Sequence, residues 1–162
     1  MIKNVLGSLL LACSVFLAST ASAQDQAAKD EKILKEYFAK NHIKATRTPS
    51  GLYYTIDKKG TGPNAKAGQN VNMNYLGRFL DGNKFDGNVD DKYQPVPGRS
   101  VLTFTLGTGR VIAGWDEGIQ LLNKGCRATL YLPSALAYGP SGRPSIPPNA
   151  ILMFNVELVS MN

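Results

Sequence analysis

The segment Val111-Ile112-Ala113-Gly114-Trp115-Asp116-Glu117-Gly118 narrows what this chain can fold into. It holds the only tryptophan in 162 residues, with two β-branched residues ahead of it and glycines on either side. The pattern reads as a strand exit that turns into a short helix, from Trp115 to about Leu122. Asp116 and Glu117 fall in the first turn, where acidic side chains suit the positive end of the helix dipole. Ile119, Leu121 and Leu122 give the helix a buried side, and Gly125 is a stop. A tryptophan in this position is either core or the floor of a pocket. The flanking segments decide which.

Those flanks have strand character. Leu52 to Lys58 carries Tyr53, Tyr54, Thr55 and Ile56, and Gly60 to Asn64 reads as a turn. Val71 to Phe79 alternates, with Val71, Met73 and Tyr75 on one side. Asp81-Gly82 is a hairpin signal, and Lys84-Phe85-Asp86 starts the returning strand. Gly87 to Ser100 is polar, contains Pro95 and Pro97, and reads as a long loop. Val101 to Leu106 is a strand, followed by the turn Gly107-Thr108-Gly109. Arg127 to Leu132 and Ala150 to Val159 are strands, separated by a Gly- and Pro-rich loop from Pro133 to Asn149. The hairpin-like connections predict a mostly antiparallel sheet of about five strands with one short helix against it.

The N-terminal region has a different composition. Residues 1–23 read as an export signal: Lys3 at the start, an apolar run from Val5 to Ala18, and Ala21-Ser22-Ala23 as a cleavage site. The apolar run is too short to span a membrane. Leu10-Leu11-Ala12-Cys13 resembles a bacterial lipobox, which would place a lipid on Cys13. The run continues past Cys13 through Leu17, which favours cleavage after Ala23. Either reading puts the mature protein outside the cytoplasm. Residues 24–50 are expected to form an N-terminal helix and linker. Gln24 to Asp30 reads as loose, Asp30 to about Asn41 as a helix with Ile33, Leu34, Tyr37 and Phe38 at helical spacing, and Lys44 to Ser50 as the linker.

The chemistry on offer is limited. Once residues 1–23 are gone, Cys126 is the only thiol, so no internal disulfide is possible. His42 is the only histidine, which leaves little for Cys-His nucleophilic chemistry or a transition-metal site. The net charge of +6 becomes +5 without Lys3 and is spread thinly, with no basic run and no aromatic-basic interleaving. Nucleic acid is therefore not an expected partner.

Several residues instead point to a small apolar pocket. Tyr75 lies on the inward-alternating side, Phe85 and Asp86 follow the hairpin, and Val111 and Ile112 lead into Trp115. Tyr138 lies in a loop, Ile146-Pro147-Pro148 stiffens that loop's end, and Phe154 points inward from the last strand. Together they offer aromatic walls and a few polar points, the usual make-up of a small-ligand site.

Five segments, in order, resemble the FKBP family of peptidyl-prolyl cis/trans isomerases: Tyr75-Leu76-Gly77, Asp81 to Asp86, Val111 to Gly118, Ala137-Tyr138-Gly139, and Ile146 to Ala150. The resemblance covers roughly Gly51 to Met161 and marks 51–162 as the isomerase domain. It implies an α+β fold, a five-stranded antiparallel half-barrel sheet wrapped around one short helix, to which this chain adds its N-terminal helix. It also implies Trp115 as the floor under a substrate proline, and Tyr75, Phe85, Val111, Ile112 and Phe154 as walls. The Ile112 N–H and the Tyr138 hydroxyl resemble donors to substrate carbonyls, Asp86 a buried carboxylate on the polar side, and Ile146 a loop residue over the site. The implied partners are proline-containing polypeptides and macrolide inhibitors, with no cofactor or metal; a membrane enters only if Cys13 is lipidated.

This chain departs from the family pattern at three places. Leu102 stands where an aromatic wall residue is common, the connection from Asp86 to Leu102 is longer than in compact members, and the loop from Gly139 to Pro147 is one residue shorter. The departures at Leu102 and in the long loop favour the competing reading, a chaperone-like binding module for proline-containing segments with little catalysis.

Overall fold

The computed structural model describes residues 9–162, with side chains from Ser22 onward. Lys3 and the start of the apolar run therefore lie outside the described residues, and so does the Cys13 side chain. Helix α1 runs unbroken over Leu9–Lys40. Gln24 to Asp30, expected to be loose, is helical. The cause lies on one face: Asp30, Leu34 and Phe38 recur every four residues and are all buried. Of the four apolar residues at helical spacing, Ile33 stays 46% exposed. The helix ends where His42 adopts a left-handed backbone (φ 55°). There the Ile43 N–H reaches back to the Phe38 carbonyl and the His42 N–H to the Ala39 carbonyl, which closes the open helix end. Among the described residues no helix is long and apolar enough to cross a membrane.

Nine strands follow: β1 Thr46–Arg47, β2 Tyr53–Lys58, β3 Thr61–Asn64, β4 Asn70–Arg78, β5 Lys84–Gly87, β6 Leu102–Thr105, β7 Asn123–Lys124, β8 Arg127–Leu132 and β9 Leu152–Met161. The main sheet has the order β1-β2-β8-β9-β4-β5, with β6 also on β4, and every pairing is antiparallel. β5 pairs with Leu76 to Arg78, and β6 with Asn70 to Met73. The two are halves of one edge column, so β2, β8, β9, β4 and the split column make the five expected strands. Two readings need correction. The linker contributes β1, and the turn after Gly60 contains β3, which pairs with β7 in a separate two-stranded sheet. Strands this short carry too few residues for alternation to reveal them.

Side-chain alternation sorts the sheet into two faces. Leu130, Leu132, Leu152, Phe154 and Val156 face inward and pack with Trp115, Ile119 and Leu122. Trp115 belongs to α2, Ala113–Gly118, Ile119 to the 3-10 turn Ile119–Leu121 that follows it, and Leu122 caps that turn. Gly114 lets α2 come close, since a Cβ there would lie 2.5 Å from the Leu132 side chain. On the outer face, Tyr53, Tyr131 and Ile151 pack with Leu34 and Phe38 of α1. The Asp30 carboxylate locks the helix down by accepting from the Ser134 N–H (2.8 Å) and the Ser134 hydroxyl (2.6 Å). Both groups are buried, so losing one partner would leave the other unsatisfied.

Candidate functional site

The inner face is not filled along its whole length. Where α2 starts, a cavity of about 700 Å³ opens between the sheet and the loops at 109–112 and 143–146. Trp115 forms its base and is 4% exposed. Tyr75 and Phe154 meet the indole edge-on, each with centroids 5.2 Å away. Phe85 packs edge-on against Phe154 at 5.5 Å. Edge-to-face contacts of this kind hold the rings in fixed orientations. Gly77 makes the arrangement possible, because a Cβ there would lie 2.7 Å from Phe85 and 2.9 Å from Phe154. The indole Nε1 is buried and has no hydrogen-bond partner among the described residues.

The polar side is organised around Asp86. The Tyr75 hydroxyl donates to Asp86 Oδ2 at 2.8 Å, and Arg99 lies 3.5 Å from Oδ1. Burial, then the bond to Asp86, pushes the Tyr75 phenol well above its ordinary range, so it stays a neutral donor. Asp86 itself was expected to be buried. Its side chain is 44% exposed, because β5 is an edge strand and the carboxylate faces the cavity mouth. Tyr138 also lines the cavity. Arg143 donates to its hydroxyl oxygen at 2.9 Å and lies over its ring at 4.9 Å.

The Ile112 backbone is extended (φ −60°, ψ 148°) and caps α2. Its N–H meets no protein acceptor among the described residues, as expected for a helix's first orphan donors. The preceding turn is held in place by Asp116, whose two carboxylate oxygens accept from the Gly107 and Gly109 N–H groups, each at 2.8 Å. The loop carrying Ile146 is fixed as tightly. Arg143 N–H donates to the Ile146 carbonyl (2.7 Å) and Ile146 N–H to the Arg143 carbonyl (2.9 Å).

The structure brings all ten residues singled out from the sequence to this one cavity: Asp86, Tyr138, Ile112, Tyr75, Phe85, Leu102, Val111, Trp115, Ile146 and Phe154. Ile146 is buried despite the shorter loop. Sequence reasoning missed Arg110 and Arg143, which also line the cavity. It searched for apolar walls, although Arg110 directly precedes Val111 and Arg143 sits beside the Ile146 loop. Among the described residues no group of three His, Cys, Asp or Glu side chains converges as a metal site would. The cavity is suited to hold an apolar ring between aromatic faces and to bond its polar neighbours through an N–H and a phenol.

Comparison with known proteins supplies the wider setting. The family profile of FKBP-type peptidyl-prolyl cis-trans isomerases matches residues 62–159. An FKBP-type isomerase, FkpA of Aeromonas hydrophila, is 43% identical over 143 residues, covering 87% of this chain and 50% of that protein. FK506-binding protein 1 of Gibberella zeae is 41% identical over 109 residues, covering 67% of this chain and 96% of that protein. The crystal structure of FkpA from Escherichia coli superposes with a TM-score of 0.68 at 33% identity, over 99% of this chain and 74% of that one. AtFKBP13 superposes with a TM-score of 0.65 at 32% identity, over 74% of this chain and all of that one. The chain spans about half the length of the FkpA relative from Aeromonas.

Proposed function

The chain belongs to the FKBP-type peptidyl-prolyl cis-trans isomerase family, and from that premise we propose that it catalyses rotation about X-Pro bonds in exported polypeptides, assisting their folding. The observation that carries this reading is the open aromatic cavity over Trp115, with the free Ile112 N–H and the Tyr138 hydroxyl on its margin. An X-Pro bond resists rotation by about 18–20 kcal/mol, while its cis and trans forms differ by only about 0.5–1 kcal/mol. Only the barrier needs lowering, and no heavy-atom bond breaks.

The proline ring sits on the indole between Tyr75, Phe85 and Phe154, under Val111 and Ile146. The planar amide is strongly dipolar and favours water. The twisted transition state has lost resonance, so its carbonyl is less dipolar and favours the dry cavity. The Ile112 N–H and the Tyr138 hydroxyl hold flanking carbonyls while the bond turns. Asp86 fixes the Tyr75 ring through its hydroxyl. This is differential binding of the transition state combined with positioning. Each tenfold in rate requires about 1.4 kcal/mol, so a few such contacts supply several powers of ten.

The same reading places the protein in the periplasm, with residues 1–23 as a cleaved signal; lipidation of Cys13 is the alternative and would hold it at a membrane. The docking residues Asp30, Leu34 and Phe38 all follow Ala23, so cleavage there leaves the attachment of α1 intact. FKBP-directed macrolides are expected to occupy the cavity. The test is the cis-to-trans rate of a short Leu-Pro peptide with the purified protein, with and without such a macrolide. Acceleration abolished by the macrolide supports the isomerase. A folded sample without acceleration overturns it in favour of a binding module.

A further inference from the structure

Guanidinium groups dominate the charge around the cavity. Arg110 and Arg143 line it, and Arg99 stands behind Asp86, the single carboxylate of the lining. Arg99 spends its charge on Asp86. Arg143 contacts the hydroxyl and ring of Tyr138 and pairs with no carboxylate among the described residues. Arg110 is exposed and takes part in no ion pair or side-chain hydrogen bond among the described residues. Two guanidinium groups with no carboxylate partner among the described residues therefore stand at the rim: Arg110, two residues ahead of Ile112, and Arg143, on the Tyr138 hydroxyl. The Ile112 N–H and the Tyr138 hydroxyl are the two donors expected to grip the backbone on either side of the proline.

Resting on the isomerase reading, we propose that the cavity selects prolines flanked by an acidic residue, with Arg110 as the main determinant of that selection. A carboxylate next to proline would meet a guanidinium at the mouth of the cavity, where field lines concentrate. A lysine in the same place would face repulsion. The effect is Coulombic, so it fades with salt, whereas a preference based on shape does not.

The experiment compares kcat/KM of the full-length protein on peptides with Glu, Lys or Leu directly before proline, and on a second set with these residues directly after it. At low ionic strength at least one set is expected to favour Glu over Lys by about fivefold, with the ratio falling towards one in 0.5 M salt. Arg110→Glu inverts that ratio, and Arg110→Lys keeps it. Circular dichroism checks that both variants are folded, and Arg110→Gln, which removes the charge without adding one, is expected to lie between them. Equal rates for Glu and Lys in both sets overturn the inference while leaving the isomerase intact. So does a ratio that ignores either salt or Arg110→Glu. Absence of acceleration on the Leu peptide overturns the isomerase reading itself, and the inference with it.

Discussion

The same sheet carries an aromatic cluster on each face, and only the inner one borders an open cavity. The inner cluster joins Tyr75, Phe85, Phe104, Trp115 and Phe154, with ring separations of 5.2–6.2 Å. The outer cluster joins Tyr37, Phe38, Tyr53 and Tyr131, with separations of 4.9–6.2 Å. Ring separations do not distinguish them. Coverage does. On the outer face α1 lies across the rings and Phe38 fills the space between Tyr53 and Tyr131. On the inner face no side chain among the described residues occupies the corresponding volume, and an N–H and a phenol border the gap. Aromatic density by itself marks packing. Aromatic density around unfilled space with polar groups at its edge marks a place for a ligand.

The sharpest way to break this comparison is to open the closed cluster. Phe38→Ala is expected to cost about 3 kcal/mol, read as a lower urea midpoint, while kcat/KM of the folded fraction stays within twofold. A parallel collapse of activity would show that the two faces are not independent. The converse change acts on the open cluster. Asp86→Ala and Tyr138→Phe are each expected to lower kcat/KM about tenfold, or about 1.4 kcal/mol of transition-state stabilisation. Stability should move by less than that, and unchanged rates in both would remove the assigned roles.

Two pH effects sharpen the contrast more gently. Burial pushes the Tyr131 phenol up to about 12 from 10.0. The folded state therefore favours the neutral phenol, and the stability this confers is fully present below about pH 10 and lost as pH rises towards 12. Urea midpoints across that range should fall, and Tyr131→Phe should flatten the fall. The smallest effect is expected at Asp91, held down to about 2 from 3.8 by Arg78 and then Lys84. Its contribution is present above about pH 4 and lost as pH falls towards 2. Asp91→Asn should remove that acid-side slope without touching the alkaline one.

The cavity was largely legible in the sequence because its residues sit on segments with strong local patterns: alternation around Tyr75 and Phe154, glycines around Trp115, and prolines after Ile146. The exposure of Asp86 was not legible, since nothing local tells an edge strand from a central one. Nor was the helicity of Gln24 to Asp30. That segment is polar, and the contact that docks its end is to Ser134, 104 residues away. The two arginines at the rim were visible as letters but carried no pattern, because their position depends on loops closing over the sheet.

Where the edge column splits between β5 and β6, Asn88 is buried and does the work of a missing strand residue. Its Oδ1 accepts from the Tyr75 N–H at 2.7 Å, and its Nδ2 donates to the Met73 and Ser100 carbonyls at 3.0 and 3.1 Å. A single amide thus sutures both ends of the excursion from Val89 to Arg99 to the strand bearing Tyr75. With Asn88 holding both ends, a change of length at the tip of the excursion leaves the register of the Tyr75 strand in place, while Val89, Asp91 and Arg99 keep their own contacts with the scaffold. This is an insertion point built into the scaffold, where a new recognition segment can be grafted beside the cavity while the machinery beneath it stays as it was.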